Sequence, residues 1–128
     1  MLSAAEGDVR TYVLLGLLAG LRAHEVAKLR GEDVTAEAIH VVGKGGRAAS
    51  IPTHPDLWAL AQTYPASGFW FPTRSERGHV APTRVSTAVT SCFRRAGVEG
   101  SLHRCRHTYG TRLMRSGASL RVVQTLMR

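Results

Sequence analysis

Cysteine is scarce in this sequence: only Cys92 and Cys105 occur in 128 residues, and they do not form a C-x-x-C pattern. Small secreted domains depend on several disulfides, so this content argues against a disulfide framework and favours a reducing, cytoplasmic compartment. Long hydrophobic runs are lacking as well. The apolar run at residues 12–21 has ten residues, about half of what a membrane-spanning helix needs. We therefore expect a core helix there and no contact with a membrane.

Acidic residues are few, and this imbalance is informative. Nine Asp and Glu residues face seventeen Lys and Arg residues, which gives a net charge of +8, and fifteen of the basic residues are Arg. Arg binds phosphate through a planar fork of donors, whereas Lys acts more as a point charge. The bias favours a polyphosphate partner, of which nucleic acid is the commonest. At this point a GC-rich genome remains an alternative explanation for the Arg content.

Apolar periodicity predicts mostly helices. A capping box at Ser3 and Glu6 should start a buried helix that Gly20 ends, and a short helix should run from about Ala23 to Leu29. Residues 38–52 predict a β-hairpin with the turn GKGG. Further helices are expected over 54–64, 82–96, 106–116 and from Ser119 onward, and an apolar segment of the 65–82 loop should dock on the core.

These elements predict an α+β fold, mainly α, with one small antiparallel sheet and a single domain over residues 1–128. The opening residues carry acids where a secretory signal needs positive charge, so we expect no signal peptide. The last predicted helix reaches Met127 and Arg128 without a Gly, Pro or polar tail to end it. We interpret that abrupt end as a truncation.

Five polar residues lie where the apolar pattern does not require them. Arg22 and Glu25 are three residues apart and share a helix face, as do His103 and Arg106 at the start of a later helix, and Lys44 is at the tip of the glycine-bounded hairpin. Two guanidiniums can neutralise the charge that grows on phosphate oxygens in a transition state. An imidazole and a lysine can transfer protons to and from the reacting oxygens. The set suits chemistry at a phosphodiester.

The segments that carry these residues read GLRAHEVAKLRGEDV, GKGGR followed by IP, and LHRCRHTYGTRLMRSGASLRVVQTLM. In this order they resemble the catalytic domain of the tyrosine recombinases, the phage-integrase family. The last is the most specific, since family members read H-x-L-R-H-T-F-A-T; Cys105, Tyr109 and Gly110 are the substitutions here. Ala49 stands where an Arg is common.

The resemblance implies roles for these residues. Arg22 and Arg106 would clamp the phosphate, Glu25 would support the site, Lys44 would be the general acid toward the 5′-oxygen, and His103 the general acid/base. His107 matches the family's second histidine and is interpreted as support. A tyrosine would attack the scissile phosphate to give a 3′-phosphotyrosine, so the resemblance implies no metal and no cofactor.

The sequence also departs from the family. The His or Trp expected just after Arg128 and the nucleophilic tyrosine about nine residues beyond it are not in this chain, and neither is the amino-terminal DNA-clamping domain. The tyrosines that are present, Tyr12, Tyr64 and Tyr109, are better explained by packing. We therefore expect a catalytic-domain fragment that binds DNA without strand transfer.

Two structural alternatives remain open. His103 and His107 with Cys105 nearby could bind zinc, although the arginines beside them would repel a cation. Arg94, Arg95, Arg112 and Arg115 are interpreted as solvated or as contacts to DNA phosphates, and Trp58, Trp70 and Phe71 as core.

The resemblance predicts site-specific recombination of double-stranded DNA, as in integration or excision of a viral genome, in the cytoplasm and at the nucleoid of a bacterium or a phage-infected host. The full-length protein would be a tetramer on DNA, and this fragment a monomer. One alternative is a non-catalytic DNA-binding module derived from an integrase. Another is a basic RNA-binding domain without a reaction centre.

Overall fold

The computed structural model describes residues 4–127, apart from the side chains of Ala4, Ala5 and Lys44. Ser3 of the predicted capping box lies outside the described residues. Six α-helices and two strands are present in the described range, together with short 3₁₀ turns at Gly31–Asp33 and Lys44–Gly46. They are α1 (Ala4–Ala19), α2 (Ala23–Ala27), β1 (Ala38–Val42), β2 (Ala48–Pro52), α3 (Pro55–Ala61), α4 (Pro82–Arg95), α5 (Leu102–Arg115) and α6 (Leu120–Met127). This architecture confirms the predicted fold class.

The two strands form the predicted antiparallel hairpin. Ile39 pairs with Ile51, and both are buried, as is Val41 on the same face. Val42, the last residue of β1 before the turn, is exposed. The alternation places one face of the sheet on the core and leaves the other to solvent. The hairpin therefore extends from the core while its turn remains outside.

Helix α1 packs directly against α5. A Cβ on Gly16 would lie 2.8 Å from Leu102 Cδ1 and 2.9 Å from Cys105 Cβ, so only glycine permits this approach. Leu15 of α1 is fully buried beside this contact. Among the described residues no helix is long and apolar enough to span a bilayer. Helix α1 is therefore a core helix, as its apolar run predicts.

Helix boundaries follow local chemistry. Helix α5 begins at Leu102, earlier than the predicted residue 106, because Ser101 Oγ accepts a hydrogen bond from the Arg104 N–H at 3.1 Å. Ser119 caps α6 in the same way, accepting from the Val122 N–H at 3.2 Å. The earlier start of α5 puts His103 and Arg106 within its first turns.

The 65–82 loop docks on the core through Trp70 and Phe71, which are both buried. Trp70 stacks on Tyr64 with ring centroids 4.5 Å apart, and Phe71 meets Tyr12 edge-on at 4.8 Å. The prediction that Trp58 is a core residue is wrong. Helix α3 buries Leu57, and the neighbouring Trp58 is rotated toward solvent, with 38% of its surface exposed.

Candidate phosphodiester site

The turn between α1 and α2 is built on Gly20. Its φ of 66° is in the left-handed region that favours glycine, and its N–H donates to the Gly16 carbonyl at 3.1 Å. The ring of Tyr109 closes over this turn, since a Cβ on Gly20 would lie 2.5 Å from Tyr109 Cδ2. The turn thus fixes the start of α2, where Arg22 lies, against α5.

Arg106 joins this turn to the end of α6. It is buried, with 9% of its surface exposed. Its Nε–H donates to the Gly20 carbonyl at 2.7 Å, and its Nη2 donates to the Met127 carbonyl at 2.7 Å. Charge-assisted bonds of this length are strong, and they direct the guanidinium between two backbone segments. Arg106 is therefore a fixed cation that also holds α6 to the α1–α2 turn.

Arg22 and Glu25 form the start of α2. Glu25 is buried, and its Oε1 accepts a hydrogen bond from the Arg22 N–H at 2.8 Å, as an acidic residue three positions into a helix does. Arg22 is half-buried. Glu25 thus acts on the backbone of Arg22 and fixes the point from which the Arg22 side chain extends.

A cavity of about 830 Å³, here called the α6 cavity, opens next to these residues. Residues of α2, the hairpin and α6 line it: Arg22, Glu25, Gly43, Gly45, Arg47, Ala48, Ala49, Gln124 and Thr125. Within the described range, His103 and Arg106 lie outside this lining. Arg106 borders it through its bonds to the turn before Arg22 and to Met127, just after Thr125.

The hairpin turn brings Lys44 to the same cavity by its backbone position. Gly43 and Gly45, on either side of Lys44, both line the cavity. A Cβ on Gly43 would be 3.9 Å from Glu25 Oε2, so the base of the turn approaches α2 closely. The side chain of Lys44 lies outside the described part of the structure, and its proposed role as general acid stays a prediction.

His103 and His107 are on the first turns of α5 and are exposed, whereas Cys105 between them is buried against α1. The three side chains therefore do not converge, which disfavours the zinc alternative. His103 is one helical turn before Arg106, on the same face of α5. Arg94, Arg95, Arg112 and Arg115 are exposed, which fits both solvated residues and contacts to DNA phosphates.

The three tyrosines of the sequence are all engaged in packing or hydrogen bonds. Tyr12 and Tyr109 are buried, and Tyr109 covers the Gly20 turn. The Tyr64 hydroxyl donates to Asp8 Oδ1 at 2.9 Å and lies 2.8 Å from Thr11 Oγ1. Burial raises the pKa of Tyr12 to about 12 and also raises the pKa of Tyr64. Such phenols are protonated at neutral pH and are poorly placed to attack a phosphate.

Sequence reasoning missed three polar residues that line the α6 cavity. Arg47 follows the GKGG turn directly and is exposed, so the turn pattern itself was a usable signal. Gln124 and Thr125 are on α6, and Thr125 Oγ1 donates to the Arg121 carbonyl at 2.9 Å. Nothing in the local sequence of α6 indicated that its polar face would close this cavity.

Comparison with known proteins gives a consistent result. The family model described as the phage integrase family matches residues 1–128. The integrase from mycobacterium phage Brujita is 38% identical, with a TM-score of 0.88 over 98% of this chain and 44% of that chain. Tyrosine recombinase XerC of Erythrobacter litoralis is 33% identical over 93% of this chain and 42% of its own length.

A more distant neighbour supports the fold alone. XerH site-specific recombinase bound to difH substrate is 21% identical, with a TM-score of 0.73 over 99% of this chain and 41% of that chain. The chain spans less than half the length of the curated relatives it matches. The match of the family model over residues 1–128 nevertheless decides the family. The chain belongs to the phage integrase family, the tyrosine recombinases.

Proposed function

We propose that this chain is the body of a tyrosine-recombinase catalytic domain, and that the full-length protein cuts and rejoins double-stranded DNA at specific sites. One observation carries the proposal most directly. Arg22 and Glu25 at the start of α2, the glycines beside Lys44 and two residues of α6 line one cavity, and Arg106 bonds to backbone at its border. Two arginines from separate segments, Arg22 and Arg47, therefore line the same space.

The proposed chemistry assigns one role to each residue. A tyrosine hydroxyl from outside this chain attacks the scissile phosphorus, so that a P–O bond to tyrosine forms and the bond to the 5′-oxygen breaks. Arg22 and Arg106 neutralise the charge on the non-bridging oxygens. His103 moves the proton of the attacking hydroxyl, and Lys44 protonates the leaving 5′-oxygen. The energy of the phosphodiester bond is kept in the 3′-phosphotyrosine, which the freed 5′-hydroxyl of the partner strand attacks in the rejoining step.

Glu25 and His107 are support residues in this scheme. Glu25 holds the backbone of Arg22 through its 2.8 Å bond, and His107 is on the exposed face of α5 beyond His103. The DNA substrate places the reaction in the cytoplasm, at the nucleoid. The DNA complex of the full-length protein is proposed to be a tetramer, and this 128-residue chain alone a monomer.

This chain alone is proposed to bind DNA without strand transfer, since its three tyrosines are packed away from the α6 cavity lining. The test is to incubate the chain with a nicked duplex of its attachment site and separate the products under denaturing conditions. A mobility shift under native conditions with no covalent protein–DNA band is expected. A covalent band would contradict the proposal.

A second candidate is a non-catalytic DNA-binding module, and the bonding of Arg106 favours it. Its guanidinium donates to the Gly20 and Met127 carbonyls, as the guanidinium of a purely structural arginine also does. The two functions are separated in the full-length protein by Arg22→Ala, at a cation that lines the cavity. A recombinase loses DNA cleavage and keeps most of its DNA affinity, whereas a module shows no cleavage before or after the change.

A further inference from the structure

A second cavity, of about 350 Å³, lies beside the other strand of the hairpin. We call it the Phe69 cavity. Residues from α2, the 3₁₀ turn after it, β1 and the 65–82 loop line it: Glu25, Lys28, Leu29, Arg30, Asp33, His40, Val41, Val42, Phe69, Arg77 and His79. Seven of these eleven side chains are ionisable, and all of the seven except Glu25 have no role in the proposed chemistry.

The lining of the Phe69 cavity has three permanent cations and two carboxylates. Its permanent cations are Lys28, Arg30 and Arg77, and within the described residues none of them forms a salt bridge. The two carboxylates are directed to backbone donors. Glu25 Oε1 accepts from the Arg22 N–H at 2.8 Å, and Asp33 Oδ2 accepts from the Arg30 N–H at 3.0 Å. The lining therefore presents net positive charge even with its imidazoles neutral.

Two aromatic contacts fix the geometry of this cavity. The Arg30 guanidinium carbon lies 4.0 Å above the centre of the Phe69 ring, a cation–π contact. The His79 ring lies 4.9 Å from the Phe69 ring, and its Nδ1 is 2.8 Å from the Val80 carbonyl, which can only accept, so Nδ1 carries a proton. Arginine stacked in this way keeps its donors in one plane, which suits a phosphate.

We propose that the Phe69 cavity binds a phosphate group, and that its source is the DNA backbone at a position other than the scissile phosphate. The proposal rests on the proposed DNA-binding function. Continuity supports that source, because Glu25 lines both cavities and the hairpin separates them. A duplex whose scissile phosphate occupies the α6 cavity then offers a neighbouring backbone phosphate on the far side of the hairpin.

The test removes two exposed cations of the cavity together, Lys28→Gln and Arg77→Gln. Binding of this chain to duplex DNA is measured by fluorescence anisotropy over a series of salt concentrations. Loss of two phosphate contacts should make the slope of log K against log salt shallower by about two. The matched control, Arg10→Gln with Arg84→Gln, removes the same charge from exposed positions on α1 and α4 that line neither cavity, and should change the slope by less than about one.

A second measurement uses inorganic phosphate as the probe, with chloride as the reference ion. Phosphate should shift the imidazole resonances of His40 and His79 in the chain, and the double variant should lose that shift. If phosphate shifts these resonances in the unchanged chain and not in the double variant, but the double variant keeps the DNA slope of the unchanged chain, the cavity binds a small phosphate-bearing ligand. That result would overturn the DNA backbone as the source of the phosphate. No phosphate-dependent shift, together with equal slopes for the variant and its control, would overturn the proposal.

These outcomes are independent of strand transfer. If the full-length protein forms no covalent adduct but the phosphate shift is present, the proposed function fails and the cavity assignment stands. If the adduct forms and the shift is absent, only the cavity assignment fails.

Discussion

Two groups of buried or half-buried polar side chains in the described part of the chain are organised differently. Beside α1, the Tyr64 hydroxyl lies 2.8 Å from Thr11 Oγ1 and donates to Asp8 Oδ1 at 2.9 Å, and Thr11 Oγ1 also lies 3.0 Å from the Gly7 carbonyl. Around the α1–α2 turn, Arg106 bonds to backbone carbonyls and Glu25 to a backbone N–H. The first group joins side chains of two segments to one another, and the second fixes side chains on the backbone beside an open cavity.

This difference distinguishes polar groups that stabilise the fold from polar groups that lie beside an open cavity. A hydrogen-bonded side-chain network between packed segments stabilises the fold. A cation held by backbone carbonyls keeps its full charge next to solvent-accessible space, which is what stabilising a phosphate requires. The tyrosines of this chain pack on the core, whereas Arg22 lines the α6 cavity and Arg106 lies at its border.

The largest effect on stability is expected from Arg106→Ala. It removes both bonds to the Gly20 and Met127 carbonyls and should lower the free energy of unfolding by about 2–4 kcal/mol. Arg112→Ala, on the exposed face of the same helix, is the control and should change it by less than about 0.5 kcal/mol. Urea denaturation measures both. Equal effects of the two changes would show that Arg106 does not hold α6.

A smaller loss is expected from Gly20→Ala. Alanine is strained at a φ of 66°, and its Cβ would lie 2.5 Å from the Tyr109 ring, so the cost should be about 2–3 kcal/mol. Gly7→Ala provides the control. The new Cβ would meet nothing within 4 Å, so this substitution should stabilise α1 by about 0.5–1 kcal/mol. Thermal denaturation gives both signs. A stabilised Gly20 variant would contradict the close contact between the turn and α5.

Tyr64→Phe should cost less, about 1–2 kcal/mol, because it removes the hydroxyl that bonds to Asp8 and Thr11. The change should leave DNA affinity unaltered, since Tyr64 belongs to the core network. Denaturant melts and anisotropy measure the two quantities. A large loss of DNA affinity in a folded Tyr64→Phe variant would break the division between the two regions.

The smallest effect concerns alkaline pH. Burial raises the pKa of Tyr12 to about 12 and raises that of Tyr64, so the folded chain keeps protons that the unfolded chain loses. The stability from these phenols is therefore complete below pH 10 and declines as the pH rises through 12. In a pH titration, the phenolate absorbance of the folded protein should rise at a higher pH than that of free tyrosine. A rise of the phenolate signals of Tyr12 and Tyr64 near pH 10 would contradict the burial of these two side chains.

Local signals predicted most of the fold. Gly20 ends α1, the GKGG turn joins the strands, and Ser119 caps α6, each by chemistry that acts over a few residues. The predicted start of α5 is too late because the capping residue, Ser101, lies before the motif that contains Arg106. Residue type alone predicts a buried Trp58, whereas the direction in which the short helix α3 presents this side chain exposes it.

The candidate site was predictable only in part. The motifs of Arg22, Glu25 and Arg106 specify residue types, and the structure places these residues around one turn. The bond from Arg106 to the Met127 carbonyl joins residues 21 positions apart, and the Arg106–Gly20 bond joins residues 86 apart. Contacts over such separations depend on the packing of α1, α5 and α6, which no local pattern states. The lining by Gln124 and Thr125 was missed for the same reason.

The most direct test of the account is to map the covalent adduct in the full-length protein. The protein is incubated with a nicked duplex of its attachment site, and the phosphotyrosyl peptide is identified by mass spectrometry. We expect an adduct on a tyrosine outside residues 1–128, which Arg22→Ala abolishes. An adduct on Tyr12, Tyr64 or Tyr109, or one that forms equally well in the Arg22→Ala variant, would contradict the account.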